Sequence, residues 1–373
     1  MTHTLEELIP DYIQGLAAYV PGKPIEEVEQ DLKIHAVKLA SNENPLGPSP
    51  KAMAAARQAL GEANWYPDGG SKRLREVLAA RYGVRAEEIF VGLGSSEIID
   101  LASRVLLRPG LTGITSEGSF ALFAIAIRAS GGKLVQTPMR NYTFDLDAIA
   151  AAVTPETRVI YIANPNNPTG TMVNAEAVDK FLGEVPGHVV VVLDEAYYEF
   201  AARFAALRKV DYSRSLGYLR EGASVVVLRT FSKAHGLAGL RIGYGLGPAE
   251  LMAYCARMRD TYSVSSVAQA AALAALEDSK YVEQVVSNNA TQAQVLGVGL
   301  SEMGHRVVPT AANFFYCDVG EGAAEFAGRL RGEGVSVRAL GVWGAPSCVR
   351  VSIGTAEQNQ FFLHAARKVS VKR

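Results

Sequence analysis

Cysteine is scarce in this chain, and its spacing offers no pairing. Cys255, Cys317 and Cys348 are the three cysteines among 373 residues, and none forms a C-x-x-C motif. Neither a disulfide framework nor a thiolate zinc site is therefore expected, and each reads as a buried thiol. The six histidines, His3, His35, His188, His235, His305 and His364, lack metal-ligand spacing, so no metal is expected; His235 reads as a packing or supporting residue. Long apolar runs are missing too: the composition is 49% hydrophobic, yet no stretch reaches the roughly 18 residues of a membrane span. Met1 to Gln14 carries Glu6, Glu7 and Asp11 and lacks the basic-then-apolar pattern of an export signal, which predicts a cytoplasmic protein. Nor does charge of one sign dominate. Lys plus Arg at 37 against Asp plus Glu at 38 leaves a net charge of -1, so nothing draws the molecule globally to nucleic acid or anionic lipid, and the partners should be small molecules. There is also no repeat and no low-complexity linker, so any domains should pack closely.

What is present is an alternation. Short β-branched runs, Ile89 to Val91, Val159 to Ile162, Val189 to Leu193 and Ser224 to Leu228, are separated by segments with helical spacing such as Ala52 to Leu60, Ser71 to Tyr82, Glu97 to Leu107, Ala175 to Leu182 and Val267 to Leu276. The runs place apolar residues at consecutive positions, as strands covered on both faces do, and the alternation predicts an α/β fold with a mostly parallel sheet. A single core stops growing near about 250 to 300 residues, so a chain of this length should have a companion domain. After about Ser279 the character changes to one long helical stretch followed by candidate strands at Arg306 to Val308, Phe314 to Val319 and Val349 to Ile353. The expected division is a large α/β/α domain over 36–278 and a smaller α+β domain from 1–35 and 279–373.

Ligands in open α/β sheets sit outside the carboxyl ends of the strands, so the residues following each run matter most. Ile89 to Val91 leads into Gly92-Leu93-Gly94-Ser95-Ser96-Glu97, where small residues let backbone N–H groups approach an anion at a helix start; the same pattern also serves as a plain turn. Val159 to Ile162 runs into Asn164-Pro165-Asn166-Asn167-Pro168-Thr169-Gly170, a stiff loop with inward amides or simply a rigid turn. Val189 to Leu193 delivers Asp194 and Glu195, then Ala196 and Tyr197; such a carboxylate can be functional or a helix cap. Ser224 to Leu228 gives way to Arg229-Thr230-Phe231-Ser232-Lys233-Ala234-His235-Gly236, with Arg241 eight positions after Lys233. A lysine partly desolvated at a strand end loses its proton more readily and becomes a nucleophile toward carbonyls, which suits a Schiff base.

Together with Leu39-Ala40-Ser41-Asn42-Glu43-Asn44-Pro45-Leu46-Gly47, these stretches resemble, in order, the fold-type I pyridoxal-phosphate aminotransferases, and among them the histidinol-phosphate aminotransferase group. The resemblance runs from about Tyr19 to Thr355. It implies pyridoxal 5'-phosphate as cofactor, Lys233 as its covalent carrier and Asp194 as partner of the pyridine nitrogen, which stays protonated and makes the ring an electron sink. It further implies Asn167 and Tyr197 at the ring's 3-oxygen, Phe120 stacked on the ring face where relatives often carry Tyr, and Ser95, Ser96, Thr230, Ser232 and Arg241 around the phosphate. Tyr66 corresponds to a tyrosine that reaches the neighbouring subunit's site in a homodimer. Arg350, with Arg338, Tyr19 and Asn167, would hold the substrate. The activity implied is ping-pong transfer between L-histidinol phosphate and 2-oxoglutarate, in histidine biosynthesis. Two alternatives stay open: an aromatic amino-acid aminotransferase, because Trp343 can reshape the substrate pocket or simply pack, and a threonine-phosphate decarboxylase with the same cofactor apparatus. A catalytically inactive cofactor-binding homologue is disfavoured, since Lys233, Asp194, Asn167, Tyr197 and Arg241 are all present.

Overall fold

The computed structural model describes residues 4, 6–16, 36–320 and 322–370. Its strands in chain order are β1 (Val37–Lys38), β2 (Ile89–Gly92), β3 (Thr112–Ser116), β4 (Lys133–Thr137), β5 (Met139–Arg140), β6 (Thr143–Phe144), β7 (Thr157–Ala163), β8 (Val190–Asp194), β9 (Val225–Thr230), β10 (Gly243–Leu246), β11 (Arg306–Val307), β12 (Phe314–Asp318), β13 (Val335–Ser336), β14 (Arg338–Ala339) and β15 (Cys348–Ser352). Seven of them form one sheet in the order β2-β10-β9-β8-β7-β3-β4. Its pairings β4/β3, β3/β7, β7/β8 and β8/β9 are parallel, and β10 runs antiparallel, between β9 and β2.

The central strands β7, β8 and β9 are buried on both faces, with Ile160, Tyr161, Ile162, Val192, Val226, Val227 and Leu228 wholly enclosed. That explains their unbroken apolar sequences, because helices cover the sheet above and below and neither face needs polar residues. Helix boundaries follow local chemistry. Ser49 Oγ accepts the Ala52 N–H at 3.1 Å ahead of helix Pro50–Leu60, Asn174 Oδ1 accepts the Ala177 N–H at 2.9 Å ahead of Ala175–Glu184, and Ser265 Oγ accepts the Ala268 N–H at 3.1 Å ahead of Ser266–Leu276. In each case a short polar side chain satisfies an N–H that the first helical turn leaves open.

A 24-residue helix, Ser279–Glu302, leads from the first sheet to a second of four strands, β11-β12-β15-β14, all antiparallel. The second sheet has its own apolar cluster, which includes Leu296, Phe315, Val349, Val351 and Phe362. Val37 and Leu39 belong to that cluster as well, and β1 pairs in parallel with β13. The chain therefore touches the second sheet before it builds the first one, and residues 40–44 cross from one to the other. Among the described residues, no helix is long and apolar enough to cross a membrane, and no cluster of His, Cys, Asp and Glu could hold a metal ion.

Candidate active site

β2, β7, β8 and β9 end at the same edge of the large sheet, and their trailing residues meet there. A cavity of about 160 Å³ is lined by Ser95, Ser96, Phe120, Asn167, Asp194, Tyr197, Thr230, Ser232, Lys233 and Arg241, with Ala163, Pro165, Ala196 and Ala238 between them. Every residue that the sequence assigns to the cofactor within one chain thus lines a single cavity.

Lys233 comes three residues after β9 ends at Thr230. Its Nζ donates to the Ser41 carbonyl at 3.3 Å and lies 5.6 Å from the Tyr197 ring centroid. Burial first, and then Arg350's positive charge, lower its pKa to about 8 against the opposing pull of Glu43. Asp194 is the last residue of β8, and its Oδ1 accepts the Ala196 N–H at 3.0 Å. Burial pushes this carboxyl up to about 7 despite that N–H, with the Glu195 charge adding to the rise and Lys233 opposing it. A carboxyl held in this way ionises readily only beside a cation, so it suits a heteroaromatic nitrogen that can take a proton.

Other groups lining the cavity are suited to an anion. Helix Ser95–Leu106 starts there behind Gly94 at φ 76°, and among the described residues no side chain caps it, so its first N–H groups face the cavity with the positive end of the helix dipole. Arg241 Nη1 donates to Ser232 Oγ at 3.4 Å and to the Ala238 carbonyl at 3.0 Å, while Thr230 Oγ1 lies 2.9 Å from Ser232 Oγ. Two glycines permit this closeness. A Cβ on Gly94 would stand 2.8 Å from Arg241 Nη2, and one on Gly243 would stand 2.8 Å from the backbone of Gly94 and Ser95. Hydroxyls, N–H groups and a guanidinium lining one cavity have the chemistry to hold a phosphate.

The Asn-Pro loop is held from within. Asn164 exchanges two hydrogen bonds with the Val173 backbone, both 3.0 Å, and Asn166 Nδ2 donates to Thr169 Oγ1 at 2.8 Å and to the Gly118 carbonyl at 3.1 Å. Asn167 turns instead to the cavity, where its Oδ1 accepts from Arg350 Nη1 at 2.6 Å. Arg350 is buried on β15, and its Nη2 donates to the Ala40 carbonyl at 2.7 Å. Arg338 lies opposite Arg350 in the β14/β15 register. The two guanidinium carbons stand 5.3 Å and 5.4 Å from the Trp343 ring, so the indole packs beside both arginines. Trp343 also lines a larger cleft of about 1030 Å³ with Tyr142, Tyr316, Arg306 and Phe120. Because Phe120 borders both spaces, the two adjoin.

Tyr66 is elsewhere. It is 82% exposed, stacked on Tyr262 at 4.6 Å, and does not line the cavity of its own chain. Tyr19 lies outside the described residues. His235 packs on Phe231 at 5.1 Å with its Nε2 3.7 Å from Glu199, as a supporting residue. Sequence reasoning missed two features. The first is a buried ion pair behind Asp194, in which Arg229 donates to Glu195 Oε2 at 2.9 and 3.1 Å and lies on the Tyr198 ring at 3.5 Å. The second is the role of Ala40-Ser41-Asn42: the run belongs to the stretches that carry the resemblance, but its contacts with Arg350, Lys233 and Tyr197 link residues far apart in sequence and leave no local signal.

The family model for aminotransferase class I and II matches residues 34–365. A histidinol-phosphate aminotransferase 2 of Pseudomonas fluorescens (strain Pf0-1) is 45% identical to the chain over 361 residues, covering 96% of each. The histidinol-phosphate aminotransferase of Moorella thermoacetica is 42% identical, over 96% of this chain and 92% of its own. Among solved structures, a histidinol-phosphate aminotransferase from Sinorhizobium meliloti, crystallised in complex with pyridoxal-5'-phosphate, superimposes with a TM-score of 0.88 at 31% identity, covering 97% of both chains.

Proposed function

The chain belongs to the class I and II aminotransferases, and on that footing we propose that it moves an amino group between L-histidinol phosphate and 2-oxoglutarate with pyridoxal 5'-phosphate as cofactor. The observation that carries this reading is the single cavity lined by a buried lysine, a buried carboxyl and a set of hydroxyls, helix-start N–H groups and a guanidinium suited to a phosphate. The residues fit the cofactor: Ser95, Ser96, Thr230, Ser232 and Arg241 would hold its phosphate, Phe120 would cover the ring, Asp194 would pair with the ring nitrogen, and Asn167 and Tyr197 would bond the ring oxygen.

When bound, pyridoxal phosphate supplies a carbonyl for amines and a conjugated ring that takes up the negative charge developing at a substrate's α-carbon. The protein does the rest. With its pKa near 8, Lys233 is neutral in a useful fraction at physiological pH, so it can accept a proton as base and return it as acid. Its hydrogen bond to Ser41 gives the amine a resting place beside the Tyr197 ring. A cation standing against Asp194 favours its charged form over the proton that burial otherwise retains, which links ring protonation to occupancy of the site. Arg350, already oriented by Asn167 and Ala40, presents a planar fork suited to a carboxylate or phosphate. Arg338 and Tyr19 complete the proposed substrate contacts.

In this reading residues 36–278 hold the cofactor, while 1–35 and 279–373 form the smaller unit that bears Arg338 and Arg350; the two separate sheets support that division. The enzyme is a cytoplasmic homodimer whose Tyr66 enters the neighbouring site, a role supported by its exposure beside the also exposed Trp65. One observation favours a second reading: an indole next to both arginines can also accommodate an aromatic amino acid. Initial rates with 2-oxoglutarate and either L-histidinol phosphate or phenylalanine decide between them. The proposal expects kcat/KM for histidinol phosphate to be higher by at least about 100-fold, with the parallel double-reciprocal lines of ping-pong kinetics. A preference for phenylalanine would install the second reading.

A further inference from the structure

Three consecutive residues of the crossing segment each hold a different group of the site. The Ala40 carbonyl accepts from Arg350, the Ser41 carbonyl accepts from Lys233, and the Asn42 side-chain Nδ2 donates to the Tyr197 hydroxyl at 3.0 Å. The first two contacts use backbone carbonyls, which any residue provides. The third depends on the asparagine side chain, which is 1% exposed.

The surroundings of Asn42 fix which way its amide points. Its backbone N–H donates to Ser352 Oγ at 2.8 Å, so the serine's own hydrogen goes elsewhere, and Ser352 Oγ lies 3.2 Å from Asn42 Oδ1 as its donor. The Asn42 carbonyl meanwhile accepts from Asn313 Nδ2 at 3.0 Å. With Oδ1 taken by a hydroxyl donor, the amide's NH₂ is what remains to face Tyr197, and an NH₂ can only donate. The Tyr197 oxygen is therefore the acceptor in that bond, and the phenol's hydrogen belongs to a different one. Donation into a phenol oxygen also polarises its O–H and strengthens it as a donor. The backbone at this position suits an asparagine: Asn42 has φ 56°, a left-handed conformation that Asn and Gly adopt more easily than other residues.

We propose that Asn42 is a positioning residue that, by donating to the Tyr197 oxygen, makes the tyrosine a hydrogen-bond donor into the cavity, and that Ser352, two residues from Arg350 on the substrate-binding strand, sets the amide's orientation. The inference rests on the reading of the cavity as a pyridoxal-phosphate site with Tyr197 at the ring oxygen. Tyr197 is then directed by a relay that starts on the second sheet, so the strand carrying the anion-binding arginine also orients the group that tunes the ring.

The test is the visible absorption of the cofactor-loaded protein titrated from about pH 5 to 9, with cofactor affinity measured by tyrosine and tryptophan fluorescence quenching. Asn42→Gly suits the left-handed backbone, removes the amide and adds no charge; Asn42→Asp keeps the shape and the Oδ1 acceptor but reverses the donor. Losing a donor at the ring oxygen disfavours its deprotonated form, so the midpoint of the absorption change should rise by about one pH unit in Asn42→Gly. Asn42→Asp should raise it at least as far, and Tyr197→Phe should raise it too. In a Tyr197→Phe background Asn42→Gly should move it no further, because the relay then has no end. Three results would overturn the inference: a wild-type midpoint in Asn42→Gly even if its melting temperature falls, a wild-type midpoint in Asn42→Asp, or additive shifts in the double variant. Absence of any visible band in the wild-type protein mixed with pyridoxal phosphate would instead overturn the reading of the cavity.

Discussion

Lys233 and Asp194 are displaced from their ordinary protonation behaviour in opposite senses by the same cause, and each displacement has a pH signature. For the lysine, burial favours the neutral amine, and its pKa falls to about 8. The rate at which cofactor-free protein takes up pyridoxal phosphate should therefore rise with pH through about 8 and level off above it, as followed by stopped-flow absorbance; a rate that falls over the same window would contradict the assignment. For the aspartate, the folded-state value of about 7 lies above the ordinary 3.8. The folded, cofactor-free protein thus binds an extra proton between those limits, and the carboxyl's contribution to stability is present below the ordinary value and lost as pH rises toward 7. Asp194→Asn removes that loss. Melts of the cofactor-free proteins should show the variant gaining on wild type between pH 5 and pH 8, even though the variant loses turnover; an equal difference at both pH values would rule the burial argument out.

At the scale of elements, the strand ends were legible because the chemistry follows immediately on the apolar run. β7, β8 and β9 announce themselves with consecutive β-branched residues, and Asn167, Asp194 and Lys233 lie within four residues of their ends. β3, β4 and β10 give no such signal. β3 is Thr-Gly-Ile-Thr-Ser, with one large apolar residue, and β4 is Lys-Leu-Val-Gln-Thr at the sheet edge with an exposed lysine. β10 is Gly-Tyr-Gly-Leu, a poor strand by propensity. Its glycine is nonetheless required, because Gly243 touches the start of helix Ser95–Leu106. Gly243→Ala should push that helix start away from Arg241, weakening pyridoxal phosphate binding by at least about 10-fold and costing about 1–3 kcal/mol of stability from overpacking. Equilibrium dialysis and urea unfolding measure the two effects. Unchanged affinity in a destabilised variant would show that the close approach serves packing alone.

At the scale of the molecule, the site is assembled from segments that the sequence keeps far apart. Arg350 and Ala40 are 310 residues apart in the chain, as are Asn42 and Ser352. No local pattern reports such contacts, which is why Arg350 and Asn42 are legible only through family resemblance, and the contacts of Asn42 not even there. Tyr66 does not line the cavity of its own chain. If each site of a homodimer borrows Tyr66 from the partner, Tyr66→Ala and Lys233→Ala should complement each other when mixed by co-refolding or co-expression. Half the dimers are then mixed and each has one intact site, giving roughly a quarter of wild-type activity. Activity no greater than the sum of the parent variants would place Tyr66 outside the neighbouring site.

One cavity is proposed to hold pyridoxal phosphate on Lys233 and to use it to move an amino group. Its most direct test is the visible spectrum of the loaded protein before and after L-histidinol phosphate, then after 2-oxoglutarate, with Lys233→Ala alongside. The expected result is a band that collapses with the donor, returns with the oxo acid and does neither in the variant. A wild-type band that ignores histidinol phosphate, or a Lys233→Ala protein that cycles normally, would contradict it.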